Sequence, residues 1–371
     1  MKKFGFDNLL VSDREIFDAI YSQKQKLTDD KLLELCKNHG IYVSVNETRE
    51  TLCQYISTQF KDWYSLKTIL DSLNHNEKNR KTATLLVSGA NLDDFKEAIK
   101  DIAPQFGDNQ MSHKGVGKSK YEVNLTTSSL EFSNTRLIQK PLTDQQITVE
   151  TNGADIVLRY DSEEVLEPII NKIVQKVAGT KRDTFKQKEI SLSPIKLSEY
   201  RTNFFLSLIV LDDDRYLLHD VKRMKVHHNK QNTSLEITQE ELSNEKEEKE
   251  DGFLKTAHLS GSSLHTNKLY QELKKLGHYI TEITWTVIDT KENRLIEINA
   301  GFLEPKDCKK FFYDIKGYYK QNTKKTDFTL ERHKMQDSEK SIFLKFFDAF
   351  LYKVYDQIIE EYENQLVKND E

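Results

Sequence analysis

Apolar residues in this chain recur at helical spacing until about residue 80, and then the period changes. Ile16, Ile20 and Tyr21 form one stripe, and Trp63, Leu66, Ile69, Leu70 and Leu73 form another. Between them, residues 27–56 read as two short helices around a tight corner, with Leu32, Leu33, Leu35 and Cys36 in the first and Leu52, Tyr55 and Ile56 in the second. A polar run at 74–81 follows. From Thr82 short alternating or continuously apolar stretches interleave with amphipathic ones, the pattern of strands mixed with helices. Strands are expected at 83–89, 121–125, 147–150, 154–160, 189–192, 204–211 and 216–226. Helices are expected over 92–102 and 162–177. Such interleaving restricts the fold to α+β or α/β.

The last third continues the mixture. A helix through Leu264, Leu269, Leu273 and Leu276 ends at Gly277. Two alternating strands, 280–288 and 294–298, flank a polar turn at 289–293, as in a hairpin. From Ser341, Phe343, Phe346, Phe347, Phe350, Val354, Ile358, Tyr362 and Leu366 line one broad helical face. The expected architecture is α+β: a helical N-terminal module (1–80), a central mixed α/β domain (82–235), an acidic linker (236–252), and a small helix-hairpin unit ending in a long C-terminal helix (253–371). The C-terminal aromatic face must pack on its own chain or on a second subunit, because leaving it in water is costly. A homodimer or another protein partner through that helix is therefore one expected outcome.

Within 27–56, Gly40 stands where the first helix needs a residue tolerant of positive φ. Asn46 is placed to cap the second helix, with Arg49 and Glu50 in its first turn. Leu32, Leu35, Gly40 and Ile41, then Thr48, Arg49, Leu52 and Ile56, resemble the SAP family of small helical DNA-binding modules. In that pattern Gly40 and Ile41 stand for the Gly-Leu that closes the first helix. The corner here is longer, and Asn46 stands where the family has a glycine. The resemblance implies a helical hairpin that contacts DNA. A plain hairpin filling its own core produces the same spacing.

Composition narrows the class. The chain has 371 residues, 31% of them charged, and a net charge of −5. That size suits two or three domains, and that balance gives the whole chain no basic footprint. Residues 240–251 hold a concentrated share of the acidic charge. No apolar run is long enough for a membrane span, and the first residues do not read as a secretory signal. Cys36, Cys53 and Cys308 are widely spaced and lack a CxxC pair, so they read as buried thiols in a cytoplasmic protein without a zinc site.

Candidate chemistry is sparse. Gly115, Gly117, Lys118 and Ser119 suggest a phosphate loop, but Ser112 occupies the place of its first glycine, and a strand follows instead of a helix. Asp213, Asp220 and Lys222 superficially match a metal-dependent nuclease pattern, in which two carboxylates hold a divalent ion and a lysine activates water. His219, His227 and His228 do not complete a metal set, since adjacent strand residues point to opposite faces. No cofactor site is indicated.

Basic residues are the more useful signal. Lys31, Lys37 and Arg49 lie in the helical hairpin. Lys181, Arg182 and Lys186 cluster with Lys172, Lys176 and Lys188, and Lys222, Arg223 and Lys225 with Lys230. Lys316, Lys320, Lys324 and Lys325 lie among Tyr313, Tyr318 and Tyr319. Cations interleaved with aromatics suit a phosphate backbone. The expected function is a non-enzymatic nucleic-acid-binding or assembly protein, in DNA maintenance or antiviral defence. The alternatives are the nuclease and a scaffold without nucleic acid.

Overall fold

The computed structural model describes residues 11–59, 63–74, 81–106, 111–128, 132–139, 142–163, 165–181, 184–228, 256–261, 268–322 and 327–370. The chain begins with four helices, α1 (Asp13–Ser22), α2 (Asp29–Asn38), α3 (Arg49–Thr58) and α4 (Trp63–Asn74). Next come β1 (Thr82–Ser88), α5 (Leu92–Ile102), β2 (Met111–Val116), β3 (Lys120–Ser128), β4 (Leu142–Asn152), β5 (Asp155–Asp161) and α6 (Glu167–Thr180). These are followed by β6 (Lys186–Glu189), α7 (Ser198–Ile209), β7 (Tyr216–His228), β8 (Thr256–Ser260) and α8 (Lys268–Lys275). The chain closes with β9 (His278–Asp289), β10 (Arg294–Glu304), β11 (Lys309–Lys320) and α9 (Asp337–Asp370). The fold is α+β, with a long C-terminal helix. Two compact units share the chain: Met1–Lys78 with Lys96–Ile147, and Asn79–Phe95 with Thr148–Glu371. The acidic segment at 236–252 lies outside the described residues.

In the first unit, Ile16, Ile20, Leu32, Cys36, Leu52, Cys53, Ile56 and Ile69 form a buried core. The helix starts explain themselves. Ser12 and Glu15 make a reciprocal capping box at α1. At the end of α2, Gly40 takes φ +78° and Ile41 donates its amide to the Cys36 carbonyl at 2.9 Å. The cap of α3 is Thr48, whose hydroxyl accepts from the Thr51 amide, and not Asn46. Asn46 instead donates its amide to the Ser44 hydroxyl, two residues before the cap. The Gly117 segment is a hairpin turn between β2 and β3, with Val116 opposite Lys120.

The second unit is built on antiparallel strands in the order β4-β5-β1-β11-β10-β9-β7-β8, with β6 also on β1. One face buries Val221, Met224, Ile283, Trp285, Val287, Ile298 and Tyr313 against Phe204, Phe205 and Leu208 of α7 and Phe343, Phe347 and Leu351 of α9. The aromatic stripe of the C-terminal helix is therefore covered by its own chain. Phe347 sits 5.1 Å from Tyr313 and 6.3 Å from Trp285, centroid to centroid. Each such side chain contributes roughly 1.5–3 kcal/mol relative to exposure.

Residues 204–211, expected as a strand, lie mostly in α7. That helix buries Ser198, Arg201 and Thr202 along with Phe204, Phe205, Leu208 and Ile209, so polar residues share its inner face and the helical period is blurred. The hairpin at 280–298 forms as expected but is longer, with Asp289 opposite Arg294. β11 adds a further strand to it. A bulge between Glu297 and Ile298 faces Gly317, which takes φ +137°. A Cβ there would lie 2.4 Å from the His333 carbonyl oxygen, so no other residue fits.

Candidate nucleic-acid interface

The pleat sends one set of side chains from β7, β9, β10 and β11 into the core and the other set to the opposite face. β7 alternates imperfectly. Its pairing with β9 skips Lys222 between Val221 and Arg223. Val221, Met224 and Val226 stay buried, while Lys222, Arg223 and Lys225 keep solvent exposure. A bulge thus places adjacent cations outside the core, which regular alternation forbids.

The register fixes what those cations meet. Lys225 stands opposite Glu282, Arg223 opposite Thr284, and Asp220 opposite Thr286. Thr284 faces Asn299, and Asn299 faces Asp314. Lys225 pairs with Glu282, and Asn299 donates to the same carboxylate at 3.2 Å. Thr284 donates its hydroxyl to the Asn299 carbonyl at 2.8 Å. Glu297 gathers Lys222 at 3.3 Å, Arg332 at 3.3 Å and the Tyr319 hydroxyl. The Lys222 ammonium lies 4.4 Å above the Tyr319 ring. Lys316 lies 3.4 Å from Asp314, and the Lys81 ammonium lies 3.9 Å above the Phe312 ring.

The electrostatics follow from crowding. Burial works to raise Glu297, but Tyr319, Lys222 and Arg332 outweigh it and hold the carboxyl below the ordinary range. Glu282 behaves alike, lowered by Lys225, Asn299 and Lys81 against its burial. Asp314 goes the other way: its burial is only partly offset by Lys316, Lys340 and Arg332. Lys81 is lowered by burial and by the nearby Lys225 and Lys316, despite Glu282 and Asp314. The patch carries Lys81, Lys222, Lys225, Lys316 and Arg332 against Glu282, Glu297 and Asp314, with Arg223 exposed beside them. The centre of this face, Thr284, Thr286, Glu297, Asn299 and Asp314, is buried, and the cations rim it, paired to its carboxylates beside the Tyr319 ring.

The candidates from sequence are placed as follows. Lys222, Arg223 and Lys225 share this patch. Lys181 ends α6, 3.6 Å from Asp94, and Lys186 is exposed on β6. Arg182 and Lys230 lie outside the described residues. Lys31 and Lys37 are exposed on α2. Arg49 has a side chain only 11% exposed, and its guanidinium donates to the carbonyls of Ile20 and Leu27 and to Asp29.

Asp213 lies in the turn before β7, where its carboxylate accepts the Arg215 amide at 2.8 Å. Asp220 and Lys222 lie on β7, and the Lys222 ammonium is directed to Glu297. Among the described residues, no group of three His, Cys, Asp or Glu side chains is placed to hold a metal ion. His228 packs edge-on against His278 at 4.9 Å. Among the described residues, no helix is long and apolar enough to cross a membrane.

Sequence reasoning missed Lys81, Arg332, Glu282, Glu297 and Asp314. The alternation of Phe311, Tyr313 and Ile315 with Asp314 and Lys316 was the available signal for β11. No protein-family model matches the chain, and no curated protein matches it.

Proposed function

We propose that this protein binds nucleic acid through phosphate contacts on the charged face of β7, β9, β10 and β11, without catalysing a reaction. The observation that carries this reading is the bulge in β7. It turns Lys222 and Arg223 outward together, beside Lys225, Lys316, Arg332 and the Tyr319 ring. The internal carboxylates hold the long cationic side chains in place, so less rotamer entropy is lost when a phosphate arrives. Each phosphate neutralised releases counterions and makes affinity fall with salt. The helical hairpin of α2 and α3, which resembles a SAP module, offers a second contact through Lys31 and Lys37.

A mobility-shift assay with labelled duplex and single strand, with and without Mg²⁺, tests the reading. A shift at low salt that weakens steeply as salt rises, with the nucleic acid intact, is the expected result. Cleavage only with Mg²⁺ would favour the nuclease reading through Asp213, Asp220 and Lys222. No shift at low salt would leave a scaffold without nucleic acid.

A further inference from the structure

The C-terminal helix α9 carries a second repeat, on a different side from its aromatic stripe. Positions 342, 346, 349, 353, 356, 360, 363 and 367 follow one another in steps of four and three. That spacing keeps one line of side chains facing a partner helix. None of these side chains is buried. Ile342 is 62% exposed and Val367 61%, one near each end of the helix. Phe346 is half-buried, and the five between Phe346 and Val367 are exposed. The core is already served by Phe343, Phe347, Leu351 and Val354, so packing within the chain gives no reason for this outer line.

Charge divides along that line. Lys353 closes its first half, and Asp356, Glu360 and Glu363 fill its second. A parallel copy of α9 would set Lys353 on Lys353 and Glu360 on Glu360, like charge on like. An antiparallel copy, about a two-fold axis between residues 354 and 355, sets Lys353 on Asp356 and Ile342 on Val367. It also lays the methylenes of Glu360 and Glu363 on Ala349 and Phe346. Every position of the repeat then meets another position of the same repeat, as an isologous interface requires. Lys353 lies 3.3 Å from Asp212, and Asp356 2.8 Å from Lys188, with all four side chains at least 41% exposed. Exposed pairs of this kind are worth little and compete weakly with a partner helix.

We propose that the outer line of α9 is a docking surface for a second copy of this chain, held antiparallel about a two-fold axis. The paired stretch, 342–367, is about 38 Å long at 1.5 Å per residue. Its charged centre fixes direction and register at a cost in stability, so the dimer forms at micromolar concentration or above. The pairing is separate from the charged face of β7 and β9–β11, and it is measured without nucleic acid.

Analytical ultracentrifugation of the full chain tests it, from about 1 to 200 µM. The wild type shows a reversible monomer–dimer equilibrium. Lys353→Glu faces Asp356 of the other copy with a like charge, and Asp356→Lys does the same to Lys353. Each substitution weakens the dimer about tenfold or more. An equimolar mixture of the two variants restores it, because both central contacts then join opposite charges. Loss of a surface pair within one chain predicts no such rescue. Both positions are exposed, and circular dichroism confirms that the variants fold. A wild type that stays monomeric at about 200 µM overturns the proposal. Undiminished dimerisation of either folded variant overturns it too, as does a mixture that associates no better than its components.

Discussion

The guanidinium of Arg159 on β5 donates to the carboxylate of Asp348 on α9, with both residues almost fully removed from solvent. Arg159 also reaches Glu150 at 2.6 Å, and the Tyr313 hydroxyl donates to Asp348 at 2.7 Å. Lys345 completes the group, 2.8 Å from Glu150. This network ties the C-terminal helix to the sheet under its aromatic face. Removing Asp348 leaves Arg159 with Glu150 alone, which Lys345 also shares, and leaves the buried Tyr313 hydroxyl without its acceptor. Asp348→Ala is expected to cost about 3–5 kcal/mol, as for other broken buried pairs. Chemical denaturation checks it, and a loss under 1 kcal/mol would show that water reaches the pair.

The aromatic stripe of α9 gives a second expectation. Phe347 is fully buried between Tyr313, Trp285 and Phe343. Phe347→Ala removes that packing and leaves a cavity, at a cost of about 3–5 kcal/mol. Circular dichroism should show a lower melting temperature, and light scattering an increased tendency to associate. Unchanged melting would mean that the face is not packed as described.

In the helical hairpin, Arg49 serves as a brace. Its donors satisfy the carbonyls at the end of α1 and before α2. Arg49→Lys offers a single ammonium in place of the planar fork and is not conservative. The first unit is expected to lose about 1–3 kcal/mol, the cost of buried acceptors left unpaired. A variant with native stability but weakened nucleic-acid binding would instead assign Arg49 to the interface.

The helical hairpin was legible from sequence because Leu32, Cys36, Leu52 and Ile56 repeat at the period of the structure they form. The 280–298 hairpin was legible for the same reason, through alternation. The charged face was not, and the cause is physical. Its members come from β1, β7, β9, β10, β11 and Arg332, segments that only register brings together. The β7 bulge is also invisible in composition: Lys222 and Arg223 read as one in and one out until the skipped pairing is known. α7 was missed because Arg201 and Thr202 are buried beside its apolar residues, which blurs the helical period.

Acid should weaken the second unit in a defined direction. Glu150, Glu282, Glu297 and Asp289 are all held below their ordinary values: burial alone would raise them, but their cationic and hydrogen-bonding partners outweigh it. Lowered folded-state values mean stability that is complete above the unfolded values of 4.5 for Glu and 3.8 for Asp. It is lost as pH falls through the folded-state values. Asp314 is raised, so its contribution has the opposite sign: its ionised form costs stability at neutral pH. Asp314→Asn should then melt at the same temperature or higher at pH 7.5, which differential scanning fluorimetry measures; a marked fall would contradict this account.

The salt dependence of nucleic-acid affinity tests the central claim most directly. Log K against log salt is measured for the wild type and for the Lys222→Ala, Arg223→Ala, Lys225→Ala triple variant, with circular dichroism confirming the fold. Each lost phosphate contact reduces the slope by about 0.9 on duplex DNA. The account predicts a shallower slope, by about 2–3, together with weaker binding at every salt concentration. An unchanged slope and affinity in a folded triple variant would contradict it.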